Sequence, residues 1–134
     1  MVIDSSITLS WFFPDEETPA SSAVLDEVST QLVVVPIHWR LEVANVLAMA
    51  ERKGRTSRPL VDRFLLRLDD FQIEVDDGNA AVFSAVLELA RKHTLTTYDA
   101  AYLHLAQSRG CPLATLDKAL REACTNVGVH LRGV

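Results

Sequence analysis

Cysteines and long apolar runs are scarce in this chain of 134 residues. Its two cysteines, Cys111 and Cys124, show neither CxxC spacing nor a zinc-finger pattern, so we expect reduced thiols that serve in packing. No apolar stretch approaches the roughly 18 residues that cross a bilayer, and the N-terminus lacks the basic region of a signal peptide. The sequence therefore excludes a disulfide scaffold and predicts a soluble, cytoplasmic protein with no membrane partner.

Common signatures of nucleotide binding and of nucleophilic catalysis are also missing. The chain has no GxxxxGK[ST] or GxGxxG loop to hold phosphates, and no GxSxG element to present a serine nucleophile. The four histidines, at positions 38, 93, 104 and 130, lie on separate predicted elements without a ligand spacing such as HExxH. These absences leave the acidic residues as the candidates for chemistry.

Length and charge limit the possibilities further. One domain spanning residues 1–134 is expected, because domains commonly contain roughly 100–150 residues. The hydrophobic fraction of 49% is sufficient for a core without disulfides. A net charge of −5 argues weakly against a broad nucleic-acid-binding surface. Acids concentrated in a metal site would account for part of that charge, and bound cations would offset it.

Apolar strand patterns alternate with helical patterns along the chain. Residues 31–35 form a β-branched run typical of a strand buried on both faces, and residues 38–53 place apolar side chains at 3.6-residue spacing. Further strands are predicted at 2–4, 71–75, 112–116 and 129–131, and further helices at 5–13, 18–29, 59–68, 79–93, 96–109 and 118–125. This alternation predicts a three-layer α/β/α sandwich with a central parallel sheet.

Four acidic residues fall where a strand ends or where the next helix begins. They are Asp4, Glu42, Asp99 and Asp117. Because ligands bind outside the carboxyl ends of the strands in open α/β sheets, we expect these carboxylates to meet at that edge. The other acids lie in predicted loops or in the middle of helices and do not share this placement.

Each of the four acids also has an ordinary structural explanation. Asp4 and Asp117 follow strands and would serve as helix N-caps. Asp99 completes a capping box that begins at Thr96. Glu42 would be a surface glutamate one turn into its helix. No single acid is persuasive, and only their shared placement favours a site.

Oxygen ligands of this kind predict a magnesium or manganese site. Clustered carboxylates repel one another and need a cation to be stable together. Mg²⁺ prefers carboxylate and water oxygens, and Ser5, Thr97 and Thr115 add hydroxyl groups nearby. Such an ion orients a phosphodiester, lowers the pKa of an attacking water and stabilises the leaving oxygen. The residues therefore predict a metal-dependent enzyme.

Four segments resemble the motifs of one family, the PIN-domain ribonucleases, and specifically the VapC-type toxins of bacterial toxin–antitoxin pairs. The segments are VIDSSITLSWFFPDE, PIHWRLEVANVL with Glu42 and Asn45, LTTYDAAYLHLA with Asp99, and PLATLDKAL with Asp117. They occur in family order and together cover essentially the whole chain.

The resemblance implies cleavage of RNA with Mg²⁺ or Mn²⁺, homodimerisation and neutralisation by a cognate antitoxin. Carried over residue by residue, it makes Asp4, Glu42 and Asp99 the core metal-binding and catalytic acids, with Asp117 acting partly through water. The hydroxyl and amide groups of Ser5, Asn45, Thr97 and Thr115 would orient carboxylates or bound waters.

One departure from the family pattern concerns the number of ions. Many relatives carry a further acid shortly after the fourth motif's aspartate, where this chain has Ala119 and Leu120. We expect one tightly held ion, with another recruited by substrate.

Other functional classes remain as alternatives. A non-catalytic receiver-type domain also binds Mg²⁺ with acids at a sheet edge, but it needs an early acid pair, and Ser5 and Ser6 follow Asp4 here. A DxD phosphatase fails for the same reason. A PIN fold that binds RNA or a partner without cleaving is the third alternative.

Two surface features have both an ordinary and a functional interpretation. A basic cluster at 52–58 is interpreted as a solvated helix end, with RNA contact as a second use. Aromatic and aliphatic residues at 11–13 and 64–68 are expected to be mostly core, with part of them available for a dimer or antitoxin contact.

Overall fold

The structure is a computed structural model that describes residues 1–133. The last residue of the predicted domain, Val134, lies outside the described residues. The described residues form five strands: β1 (Val2–Ile3), β2 (Val33–Pro36), β3 (Ile73–Asp76), β4 (Leu113–Ala114) and β5 (Leu131–Arg132). The helices are α1 (Ser5–Ser10), α2 (Pro19–Val28), α3 (Trp39–Arg52), α4 (Arg58–Asp69), α5 (Ala80–His93), α6 (Thr97–Arg109) and α7 (Lys118–Val127).

All pairings in the sheet are parallel, and the strand order is β3-β2-β1-β4-β5. The chain therefore runs outward from β1 to β3 and then returns to the other side of β1. This reversal puts β1 and β4 at the point where the strand order switches, and such points form ligand-binding crevices. The predicted α/β/α sandwich with a central parallel sheet is confirmed.

Predicted and observed elements agree in number and order, and their ends differ by at most three residues. The predicted 31–35 strand is observed at Val33–Pro36, so the strand includes Pro36 and ends there. Pro36 is the last residue of β2 and pairs in register with Asp76, the last residue of β3. A proline lacks only the N–H donor, and the end of a ladder tolerates that loss.

The core lies on both faces of the central strands. Every residue of β2 is buried, as expected for a strand covered by helices on both sides. Helix α6 packs against β1, β2 and β4, and Tyr102 and Leu103 on it are fully buried. The position of α6 across the central strands carries its N-terminal turn to the carboxyl edge of the sheet.

The aromatic cluster near the first motif is mainly core. Phe13 is buried, the ring centroid of Phe12 lies 5.1 Å from that of Phe64, and Trp11 packs edge-on against Phe71. On α4, Leu66 stays 67% exposed. Core packing thus accounts for most of the apolar surplus, as predicted, and leaves part of α4 facing solvent.

Arg55, in the predicted basic cluster, has a structural role. Its guanidinium makes two hydrogen bonds of 3.0 and 3.1 Å to the carboxylate of Asp15, in a short 3-10 turn (Pro14–Glu16), and lies 3.8 Å over the ring of Phe13. Arg55 therefore links the C-terminal end of α3 to that turn. No helix within residues 1–133 has the length and apolar character needed to cross a membrane.

Candidate active site

Four elements deliver the predicted acids to the carboxyl edge of the sheet. Asp4 directly follows β1 and is the N-cap of α1, while Asp117 follows β4 and is the N-cap of α7. Glu42 lies in the first turn of α3, and Asp99 lies in the first turn of α6. The ordinary capping roles and the shared edge therefore coexist in the same residues.

Asp4 is the most buried of the four, with only 2% of its surface exposed. Its Oδ1 accepts hydrogen bonds from the Ile7 amide at 3.0 Å and the Ser6 hydroxyl at 2.7 Å. Its Oδ2 accepts one from the Thr115 hydroxyl. Burial raises the pKa of Asp4 to about 6, the hydrogen bonds oppose that rise, and the charge of Asp99 adds to it. A carboxylate this deeply buried is costly without a nearby cation.

A small hydrogen-bond network joins the loops after β1 and β4. The Asp117 amide donates to Thr115 Oγ1 at 3.0 Å, and the Leu116 amide donates to Ser6 Oγ at 2.9 Å. Thr115 itself is fully buried. Because Thr115 and Ser6 also donate to Asp4, the network holds that carboxylate at the point where the strand order reverses.

Asp99 is electrostatically coupled to the other three acids. Burial is the main cause of its raised pKa, followed by the charges of Asp117 and Glu42. Asp99 also raises the pKa of Asp4. Its own backbone amide donates to Thr96 Oγ1 at 3.1 Å, which is one of the two hydrogen bonds of the predicted capping box. The four carboxylates therefore lie in one region of the molecule, where the charge of Asp99 interacts with the charges of the other three.

Glu42 is positioned by a residue that the sequence analysis did not single out. The hydroxyl of Tyr102 donates to Glu42 Oε1 at 2.5 Å, and burial together with Glu42 raises the pKa of that phenol. His38 Nε2 lies 3.6 Å from the same Oε1 and 3.1 Å from the backbone oxygen of Tyr98. Tyr102 lies one helical turn after Asp99, and that spacing was the signal available in the sequence.

Three of the predicted orienting residues make no direct hydrogen bond to the four acids in the part of the chain that the structure describes. Within residues 1–133, neither Ser5 nor Thr97 makes a side-chain hydrogen bond to any of the four acids, and the adjacent Ser6 and Thr96 contact Asp4 and Asp99 instead. Asn45 is exposed, and its amide donates to Met49 Sδ at 3.8 Å. Of the four predicted groups, Thr115 is the one whose side chain donates a hydrogen bond to an acid side chain among residues 1–133.

The two cysteines remain free in the structure. Cys124 is fully buried on α7, and burial followed by the charge of Asp4 raises its pKa to about 11. A thiol with that pKa is protonated at neutral pH and is a poor nucleophile. The site therefore offers carboxylates, and not a thiolate, for chemistry.

The donor set fits a hard divalent ion that keeps much of its water. Within residues 1–133, no three His, Cys, Asp or Glu side chains lie close enough together to hold one ion between them. Mg²⁺ commonly binds through one or two carboxylates and retains several waters. Coupled but separate carboxylates match that preference, and Asp4, Glu42, Asp99 and Asp117 are the residues that would hold the ion, in part through water.

Comparison with known proteins agrees with the fold and shows the family of the chain. The family model described as the PIN domain matches residues 1–126. The chain is 31% identical over 124 residues to Ribonuclease VapC3 of Pyrobaculum aerophilum, which covers 91% of this chain and 92% of the relative.

Two solved structures share the fold. The crystal structure of PAE2754 from Pyrobaculum aerophilum matches with a TM-score of 0.71 at 24% identity, over 97% of this chain and 81% of that chain. The crystal structure of FitAcB from Neisseria gonorrhoeae matches with a TM-score of 0.61 at 18% identity, over 98% and 95% of the two chains. On the family match and the similarity in sequence, the chain belongs to the PIN-domain family, among its VapC-type members.

Proposed function

We propose that this chain, as a single PIN domain over residues 1–134, is an endoribonuclease that hydrolyses RNA phosphodiester bonds with Mg²⁺ or Mn²⁺. The ion would be held by Asp4, Glu42, Asp99 and Asp117. The observation that carries the proposal is the buried Asp4 carboxylate at the strand-order switch, whose pKa burial and Asp99 raise together. The name of the similar Ribonuclease VapC3 supports the reaction class.

The residues around the acids have distinct tasks in this mechanism. A bound divalent ion supplies Lewis acidity, which lowers the pKa of water and stabilises charge on the phosphate. Ser6 and Thr115 fix both oxygens of Asp4, and Tyr102 fixes one oxygen of Glu42, so these carboxylates need little reorganisation. Asp99 is half-buried with a raised pKa, which suits a carboxylate that accepts a proton from the attacking water.

The receiver-type alternative fits the sequence poorly. A receiver needs an acid pair early in the chain, and Ser5 and Ser6 follow Asp4 here. The non-cleaving alternative offers no reason for four acids whose charges oppose one another.

We also propose that the protein acts as the toxin of a toxin–antitoxin pair and forms a homodimer. The similarity to VapC-type proteins supports this assignment. Apolar groups remain on the surface for such contacts: Phe83 on α5 is 80% exposed and Tyr98 on α6 is 61% exposed. A basic side chain of the antitoxin would be attracted to the four acids and would block the site.

Cleavage of total cellular RNA by the purified protein tests the proposed reaction. We expect discrete fragments with Mg²⁺ or Mn²⁺ and none with EDTA. Asp4→Asn and Asp99→Asn should abolish the fragments, whereas Asp26→Asn, the same change at an exposed position of α2, should keep them. Fragments that persist in both site variants would indicate a contaminating nuclease and would refute the site. A folded, metal-binding protein that cleaves nothing would favour the binding-only alternative.

A further inference from the structure

Most arginines with carboxylate partners lie away from the candidate active site. Ion pairs within residues 1–133 involve the arginines Arg55, Arg58, Arg91, Arg109 and Arg132. Several other basic residues, including Lys118 and Arg121 on α7, have no carboxylate within ion-pair distance in the part of the chain that the structure describes. Lys118 directly follows Asp117, and Arg121 follows one turn later. Two positive charges near Asp117 are therefore available to a ligand.

Arg121 is anchored to the same loop that positions Asp4. Its Nη1 donates to the backbone oxygen of Thr115 at 3.0 Å, and the hydroxyl of Thr115 donates to Asp4. A guanidinium has five N–H donors, so this single contact orients the group while leaving other donors for a ligand. Arg121 is partly exposed, and Lys118 is exposed.

The two cations line a groove of about 710 Å³ between α7 and β5. Leu116 and Leu131 form apolar parts of its wall, and Thr125 and Asn126 add polar groups. Glu122 is the one acid that lines it. Two residues that line it, Leu116 and Lys118, flank Asp117 in the chain, so the groove adjoins the loop that carries this acid.

We propose that this groove binds the backbone of single-stranded RNA beside the bond to be cleaved, with Lys118 and Arg121 contacting phosphates. The inference rests on the proposed ribonuclease function. An RNA strand approaching four carboxylates in a protein of net charge −5 is repelled, and cations beside the acids oppose that repulsion. Phosphate contacts of this kind fix the register of a strand without reading its sequence. Lys118 and Arg121 would thus position substrate, and the acids would act on it.

Salt-dependent binding tests the groove separately from catalysis. The probe is a 12-nucleotide polyuridine with a 5′ fluorophore, measured by fluorescence anisotropy with the full-length Asp99→Asn protein so that it stays intact. Each lost phosphate contact should reduce the slope of log affinity against log salt by about 0.7 for single-stranded RNA. We expect that reduction, together with weaker binding, for Lys118→Gln and Arg121→Gln. Arg121→Lys should recover part of the affinity.

The matched control is Arg67→Gln, which removes one exposed positive charge in the last turn of α4. Its slope should equal that of the parent protein. Equal losses in the Arg67 and Arg121 variants would show a diffuse charge effect and overturn the groove. Unfolding curves by circular dichroism verify that Arg121→Gln is folded, and Lys118→Gln, at an exposed position, provides the result independently.

The remaining outcomes separate the two proposals. If Lys118→Gln and Arg121→Gln bind as the parent does while the wild-type protein still cleaves RNA with metal, the groove is wrong and the ribonuclease stands. If the wild-type protein cleaves no RNA, the ribonuclease is refuted, and the binding data for Lys118→Gln and Arg121→Gln still decide whether the groove binds RNA. A polyglutamate peptide whose binding depends on Lys118 when RNA binding does not would assign the groove to an acidic protein segment and overturn the proposal.

Discussion

The hydroxyl of Thr115 donates a hydrogen bond to Oδ2 of Asp4, a residue 111 positions away in the chain. The contact joins the loops after two neighbouring parallel strands, β1 and β4. It satisfies an oxygen of a buried carboxylate that sits at the carboxyl edge of the sheet. The position of the Asp4 carboxylate therefore depends on the strand order, because this hydrogen bond joins two loops that are distant in the chain.

Replacing Thr115 by valine tests that pair. Thr115→Val keeps the shape of the side chain but leaves a buried carboxylate oxygen and the Asp117 amide without their partner. We expect a loss of about 1–3 kcal/mol in the free energy of unfolding, measured with urea. Thr30→Val, which removes an exposed hydroxyl, should change it by less than about 0.5 kcal/mol. Equal losses of unfolding free energy in the two variants would mean that the hydrogen bond from Thr115 to Asp4 contributes no more to stability than an exposed hydroxyl does.

The raised pKa of Asp4 predicts that the metal-free protein loses stability as the pH rises. Between the unfolded value of 3.8 and the folded value of about 6, the folded state holds more protons than the unfolded state. Stability contributed by this group is therefore full below the unfolded pKa and declines through that interval, by up to about 3 kcal/mol at 1.36 kcal/mol per unit.

Asp4→Asn isolates this effect, because asparagine keeps a capping oxygen and does not titrate there. The difference in unfolding free energy between wild type and variant should fall between pH 4 and pH 6, with EDTA present throughout. A difference that stays constant across that interval would show that burial does not shift the Asp4 titration. Groups such as Asp76, whose pKa is lowered, titrate in both proteins and cancel in the comparison.

Metal affinity should show the opposite trend with pH. A divalent ion binds the ionised carboxylate, so it competes with the proton on Asp4. Calorimetric titration with Mn²⁺ should give weaker binding at pH 5 than at pH 7.5, with protons released at the lower pH. Asp26→Asn should follow the wild-type curve. Affinity independent of pH over this range would argue that Asp4 is not a ligand.

The Tyr102 hydroxyl should matter for activity more than for folding. Tyr102→Phe removes the donor to Glu42 Oε1 but keeps the buried ring. Mutation of a group that orients a metal ligand commonly lowers metal affinity or activity by about 10–100-fold. We expect a loss in that range for the rate of RNA cleavage. Tyr98→Phe, at an exposed position of the same helix, is the control. Similar activity in the two variants would exclude a role for the Tyr102 hydroxyl.

Two of the predicted orienting residues, Ser5 and Thr97, are each one position away in the chain from the residue that makes the contact, and both differences have a geometric origin. Ser5 and Ser6 both follow Asp4, but successive residues of a helix point about 100° apart, and the Ser6 hydroxyl reaches Asp4. Thr96 and Thr97 show the same one-residue difference beside Asp99. Sequence patterns locate such a group to within one residue, whereas its contact depends on how each helix is rotated against its neighbours.

The sequence by itself determined the order of the elements, the parallel sheet and the placement of the four acids at strand ends or in first helical turns, because these depend on local periodicity, capping and the direction of the chain. Only the tertiary structure decided that Thr115, Ser6 and Tyr102 hold the acid side chains and that Arg55 fastens a turn. Those contacts join distant segments, and their partners are set by strand order and helix packing. No local sequence pattern determines which residues from distant segments come into contact.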